Sequence, residues 1–235
     1  MQRLGLYAAA CLWVLTGLAY SAPSATSVVE SHLNGGTIIT APAANLAPAL
    51  QASVSENEKR APDYVFAILA GGRADANTLS PSMVSTAITS LSTPKSSLLI
   101  SQIIEVSVKA TPDVVLKIVR AAVLASPDEA APVIVRAAVS SIMNPNELAD
   151  VSPETAKAYK EYKGYKDFKQ VPDAAPDGLT PAEKIVQAAL AANPNLNPGI
   201  LTTAASQGLQ ILTSIPVDND AHYAIWPPVL PLVSQ

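Results

Sequence analysis

One cysteine, two histidines, ten glycines and 14% charged residues leave a chain of 235 residues short of the groups that carry chemistry. The cysteine, Cys11, lies inside an apolar run at the N-terminus. If that run is removed as a signal segment, the mature chain has no thiol. Disulfides, zinc–cysteine sites, iron–sulfur clusters and cysteine nucleophiles are then excluded. The sparse glycines follow no G-X-Y period, which excludes a collagen-like chain. There is no G-x-S-x-G, P-loop, H-E-x-x-H or G-x-G-x-x-G, so no catalytic, cofactor or metal site is expected from motifs. An acidic balance, net charge -4 with a pI near 5.1, argues against nucleic acid as a partner. Asn-x-Ser/Thr acceptors are also missing, which favours a bacterial protein over a eukaryotic secreted one.

What is abundant is alanine, 40 residues, together with 20 prolines and 49% hydrophobic residues. A mean hydropathy of +0.26 supplies enough apolar surface to fold without cross-links.

Arg3 precedes an uncharged run from Leu4 to Tyr20, and Ser21-Ala22-Pro23-Ser24 closes it with small and helix-breaking residues. This is the layout of a secretory signal peptide, with cleavage expected after Ser21. At 17 residues the run is at the short limit for a membrane span. Cleavage rather than anchoring is therefore expected, giving a periplasmic or extracellular protein with no transmembrane domain in the mature chain.

The centre of the chain repeats itself. Ile-Val-Arg-Ala-Ala-Val occurs at 118–123 and again at 134–139, and a looser copy, Ile-Val-Gln-Ala-Ala-Leu, occupies 185–190. Short-period self-similarity signals a repeat architecture. Each copy follows a Ser/Thr-Pro pair, at Thr111-Pro112, Ser126-Pro127 and Thr180-Pro181, a pattern suited to an N-cap with proline at the first helical position. Ser126 with Glu129 and Thr180 with Glu183 have capping-box spacing. Val115, Ile118, Val119, Ala122 and Val123 fall on one helical face, as do Ala131, Ile134, Val135, Ala138 and Val139, while Arg120 and Arg136 lie outside. Pro132 lies too far beyond Ser126 for one continuous helix, so a kink or a start near Ala131 is expected. Further junctions are read at Ser80-Pro81, Thr93-Pro94, Asn144-Pro145, Ser152-Pro153 and Asn193-Pro194.

The fold class expected is all-α, an array of short antiparallel helices delimited by Ser/Thr/Asn-Pro caps, either solenoid-like or an irregular bundle. The organisation read along the chain is a signal peptide (1–21), an Ala/Ser/Pro-rich and partly flexible segment (22–60) with a helix over Ala43–Val54, a helical array (61–213) interrupted at 146–180, and a Pro-rich tail (214–235).

The most distinctive stretch repeats an aromatic followed by lysine every three residues: Tyr159-Lys160, Tyr162-Lys163, Tyr165-Lys166 and Phe168-Lys169. Two readings compete. The rings and ammonium groups form a contact surface for an anionic or glycan polymer or a protein partner. Alternatively, the rings pack onto the array while the lysine heads stay solvated. Asp218-Asn219-Asp220-Ala221-His222 lacks the spacing of a calcium loop and reads as a turn. His32 and His222 belong to no recognisable triad. In the tail, Trp226 is a candidate partner contact or a cap over the end of the array.

The function expected is an exported, non-enzymatic helical-repeat scaffold or binding protein of the cell envelope or extracellular space. A self-associating structural subunit and a hydrolase-type enzyme, with a site assembled from distant residues, are the alternatives.

Overall fold

The computed structural model describes residues 23–144, 148, 151–162 and 178–210. Within them are ten α-helices and no strand: α1 (Ala25–Ser31), α2 (Ala43–Glu56), α3 (Ala61–Ala70), α4 (Ala76–Thr89), α5 (Ser97–Ala110), α6 (Val115–Ala125), α7 (Ala131–Met143), α8 (Pro153–Glu161), α9 (Pro181–Ala192) and α10 (Pro198–Gln210). The protein is all-α. No helix among the described residues is long and apolar enough to cross a membrane. The segment expected to be a signal peptide (1–21), the Pro-rich tail and Trp226 lie outside the described residues.

The repeated hexapeptide lies on helices whose apolar face is buried. Ile118, Val119, Ala122 and Val123 of α6 are in the core, as are Ile134, Val135, Ala138 and Val139 of α7 and Ile185, Val186, Ala188 and Ala189 of α9. The intervening Arg120, Arg136 and Gln187 are exposed. The apolar stripe thus does what its 3.6-residue period requires.

The most extensive helix–helix contacts skip one helix. Setting α8 aside, α2 packs on α4, α4 on α6 and α6 on α9, while α1 packs on α3, α3 on α5, α5 on α7 and α7 on α10. Helices α3 and α5 are buried on nearly every side, with Val65, Ile68, Ile103, Ile104 and Val106 fully buried. Helix α8 rests on α3. At the seam between α7 and α10, Gly208 brings the backbones close: a Cβ there would fall 2.8 Å from the Arg136 carbonyl oxygen and 3.0 Å from Val139 Cβ.

Two helix ends agree closely with their sequence signals. Thr180 accepts from the Glu183 amide while the Glu183 carboxylate accepts from the Thr180 amide at 2.7 Å, closing a capping box. Gly71 and Gly72 end α3, with Gly72 at φ +89°, a conformation that excludes most side chains.

Other boundaries differ from the expectation. Helix α4 runs straight through Ser80-Pro81. Burial of Leu79, Met83, Val84, Ala87 and Ile88 outweighs the roughly 3 kcal/mol cost of an interior proline. Thr111 and Ser126 do not cap α6 and α7. Thr111 terminates α5, and its hydroxyl pairs with the Ser80 hydroxyl (2.8 Å) and donates to the Ser107 carbonyl (2.9 Å). Ser126 terminates α6, and its Oγ is buried without a partner. A short 3-10 turn comes after each of these residues, Pro112–Val114 and Asp128–Ala130. Helix α7 then starts afresh at Ala131, which places Pro132 harmlessly in its first turn. Asn144 and Asn193 likewise close α7 and α9.

Candidate binding surface

The lysine–aromatic stretch begins on α8, and its docking is built around one buried carboxylate. Ser152 caps α8, accepting from the Thr155 amide at 3.2 Å. The same Ser152 hydroxyl donates to Asp63 Oδ1 at 2.8 Å, and the Thr155 hydroxyl donates to that oxygen at 2.6 Å. Asp63, at the start of α3, is only 3% exposed. Its other oxygen faces Arg60 Nε at 3.5 Å. Arg60 also donates to Glu154 (3.2 Å) and to the Pro23 carbonyl (2.7 Å), and the Ala25 amide donates to Glu154 at 3.3 Å. One polar node therefore joins the start of α1, the start of α3 and the start of α8. A buried carboxylate is tolerable only when satisfied in this way.

The aromatic half of the docking is on the same face. Tyr159 lies one turn beyond Thr155, is 1% exposed, and meets Phe66 edge-on at 6.0 Å between centroids. Tyr162 approaches Phe66 from a second side, also edge-on at 6.0 Å, and its hydroxyl donates to the Ala110 carbonyl at 3.1 Å. Burial pushes the Tyr162 phenol up from its usual range. Lys109 of α5 is buried, pairs with Glu105 at 2.8 Å and lies 5.9 Å from the centre of the Tyr159 ring.

Of the residues that the sequence singles out, Tyr159 and Tyr162 are thus turned inward and serve the docking of α8. Tyr159 is 1% exposed and packs on Phe66 rather than facing solvent, as the second of the two readings expects. Lys160 is exposed, as is Lys157 one turn before it. Lys163, Tyr165, Lys166, Phe168 and Lys169 lie outside the described residues.

Elsewhere, two adjoining shallow depressions of about 360 and 260 Å³ share Pro132, Asn197 and Ile200 where α7 meets the α9–α10 connection. Neither includes His32, whose Nε2 is 3.1 Å from Glu56 Oε1 near the end of α2. Among the described residues no group of three or more His, Cys, Asp or Glu side chains is placed to hold a metal. His222 and its neighbouring aspartates lie outside them.

A second polar anchor fixes the connection before α2. Arg73 donates through Nη1 to the carbonyls of Ile38 (2.6 Å) and Ala41 (2.8 Å), and through Nε and Nη2 to both oxygens of Asp75 at 2.8 Å. The Arg73 hydrogen bonds hold the Asp75 carboxyl below the usual carboxylate range. Hydrogen bonds from Ser92, first from its amide, do the same for Glu58.

Sequence reasoning identifies the Ser152 cap but not the Asp63 node, since nothing local links residues 63 and 152. It also passes over Lys109 and Glu105, an ion pair one turn apart on a largely buried helix. Comparison with protein-family models, with curated proteins and with solved structures finds no match for this chain.

Proposed function

We propose that the protein is an exported, non-enzymatic helical-repeat scaffold or binding protein of the cell envelope or extracellular space. Its helices form a two-layered, solenoid-like array, with α2, α4, α6 and α9 in one layer and α1, α3, α5, α7 and α10 in the other. The observation that carries this reading is the skipping pattern of contacts, in which each helix leans most on the next helix of its own layer. Stacked helical hairpins bury a continuous core in this manner, and such arrays present long surfaces to partners. The use of one hexapeptide in both layers, with its Arg outward each time, supports the same reading. So does the commitment of Asp63, Arg60, Lys109 and Glu105 to internal pairs. The contact surface is centred on α8 and the lysine-rich sequence after it, and it takes an anionic or glycan polymer or a protein partner.

The test is retention of the full chain on immobilised anionic and neutral polysaccharides, together with N-terminal sequencing of the exported form. Retention on at least one matrix and a mature end at Ala22 are expected. Failure to bind any matrix, with the protein held in the cytoplasm, overturns the proposal.

A further inference from the structure

We infer that one edge of the array is a second docking surface, and that it takes an extended, proline-rich segment of a partner protein with lysine or arginine beside aliphatic residues. The inference goes beyond the α8 surface and rests on the layered arrangement proposed above.

Hydrogen bonds gather the turns of this edge. The Ser92 amide, in the α4–α5 turn, donates to Glu58 of the α2–α3 turn at 2.9 Å. Asn193 Nδ2, at the α9–α10 turn, donates to Asp128 of the α6–α7 turn at 2.7 Å. The Thr111–Ser80 contact of 2.8 Å sets the end of α5 beside the first half of α4, so the α5–α6 turn is at the opposite edge. Ile39 is there too, its carbonyl accepting from Arg73 of the α3–α4 turn.

Four large apolar side chains are more than half exposed among the described residues, and three of them lie on the first edge: Leu98 at the start of α5, Leu124 at the end of α6 and Ile200 at the start of α10. They come from successive hairpins. Ile200 also lines both shallow depressions, with Pro132 and Asn197. Exposed aliphatic side chains gathered in this way mark a contact surface. Neighbouring helices of a layer are about 8–10 Å apart. A polyproline II chain advances about 3.1 Å per residue and turns once in three, so side chains three apart share a face at intervals of about 9 Å. An aliphatic residue at every third position of such a chain meets one hairpin after another.

Charge selects the occupant. Asp128 and Glu129 are exposed at the lip of the second depression and make no salt bridge among the described residues. Residues 121–135 and 185–210 contain no lysine or arginine. Lys59 and Lys95 belong to the two earlier turns, and Lys95 donates to the Ile88 carbonyl at 2.6 Å. A cationic partner is therefore complementary here. The chain's own Pro-rich stretch is not, since residues 211–235 hold Asp218 and Asp220 and no lysine or arginine. A second copy brings the same carboxylates.

The experiment measures fluorescence polarisation of a labelled peptide of repeating Lys-Pro-Leu with the full chain, against peptides of repeating Glu-Pro-Leu and Lys-Pro-Ser. Only the first is expected to bind. Leu124→Ser and Ile200→Ser should each weaken it about tenfold, and Asp128→Asn with Glu129→Gln should weaken it and flatten its salt dependence. Ile39→Ser, on the opposite edge, should match wild type. All these positions are exposed, so the variants keep the fold. Equal binding of the acidic and basic peptides, equal loss in Ile39→Ser, or no binding would overturn the inference. Displacement of the probe by a synthetic peptide of residues 223–235 would assign the edge to the chain's own tail. A dimer in sedimentation that Ile200→Ser abolishes would assign it to a second copy. Either result overturns the inference and leaves the array standing, whereas a closed bundle in solution removes the array and this edge together.

Discussion

Thr155 and Asp63 are 92 residues apart in sequence and 2.6 Å apart in the fold, hydroxyl donating to carboxylate. That bond and its partner from Ser152 decide where the lysine-bearing helix sits. Everything proposed for the α8 surface depends on them, because they fix which side of the helix faces α3.

Thr155→Val keeps the shape and removes the donor. The buried carboxylate retains Ser152 and Arg60, so the loss is that of one hydrogen bond to a charged group, about 1.5–3 kcal/mol. Urea denaturation is expected to show this loss, and Thr155→Ser is expected to restore most of it. An unchanged midpoint in the valine variant would mean that the node does not hold α8.

Gly208→Ala sets two effects against each other. Alanine favours a helix by about 1 kcal/mol over glycine, yet here its Cβ would lie 2.8 Å from the Arg136 carbonyl. Backbone cannot step aside as a side chain can, so a net loss of about 1–3 kcal/mol is expected from overpacking. Thermal unfolding checks the sign: a higher midpoint for the variant would show that α10 does not approach α7 this closely.

The Arg73–Asp75 pair sets a pH dependence. A carboxyl held below its usual value in the folded state favours folding at pH values above about 3.9, its ordinary value, and that contribution disappears as pH falls through the lowered folded value. Glu58 acts in the same direction through Ser92. Stability is therefore expected to be level between neutral pH and about 5 and to fall below about 4. Arg73→Met should show a smaller acid-induced fall, since Asp75 no longer titrates differently in the two states. Urea midpoints at neutral and acid pH measure this, and an acid response identical to wild type would contradict the assignment.

Much of the fold is legible in the sequence, because it rests on local periodicity. The faces of α6, α7 and α9 come from spacing alone, and the Thr180 box from two residues three apart. Pro132 marks the restart at Ala131. The failures are equally physical. Ser-Pro and Thr-Pro pairs specify a helix start only when the serine or threonine is free to face the new amides, and Thr111 and Ser126 are already the ends of the preceding helices. Pro81 is a breaker that packing overrides. At the candidate surface, triplet spacing locates the lysines and the rings but not their directions. The partner that orients them, Asp63, lies on a different helix.

Ser126 and Thr180 look alike in sequence and should respond in opposite ways. Thr180→Ala removes a working cap and is expected to cost about 1 kcal/mol. Ser126→Ala removes a buried hydroxyl that has no partner, so it is expected to be neutral or stabilising by up to about 1 kcal/mol. Equal losses in both would mean that Ser126 caps a helix after all.

The layered stacking of helices is the central claim, and a single distance tests it. The sequence after Ser21 contains no cysteine, so paired spin labels can be placed cleanly at Gln51 of α2 and Gln187 of α9, both exposed. In the proposed array α4 and α6 stand between them. Three interaxial steps of about 8–10 Å each put the labels roughly 25–30 Å apart. Double electron–electron resonance should give one narrow distribution near that value. A distance of about 10–15 Å, the spacing of helices that touch across a closed bundle, would contradict the account.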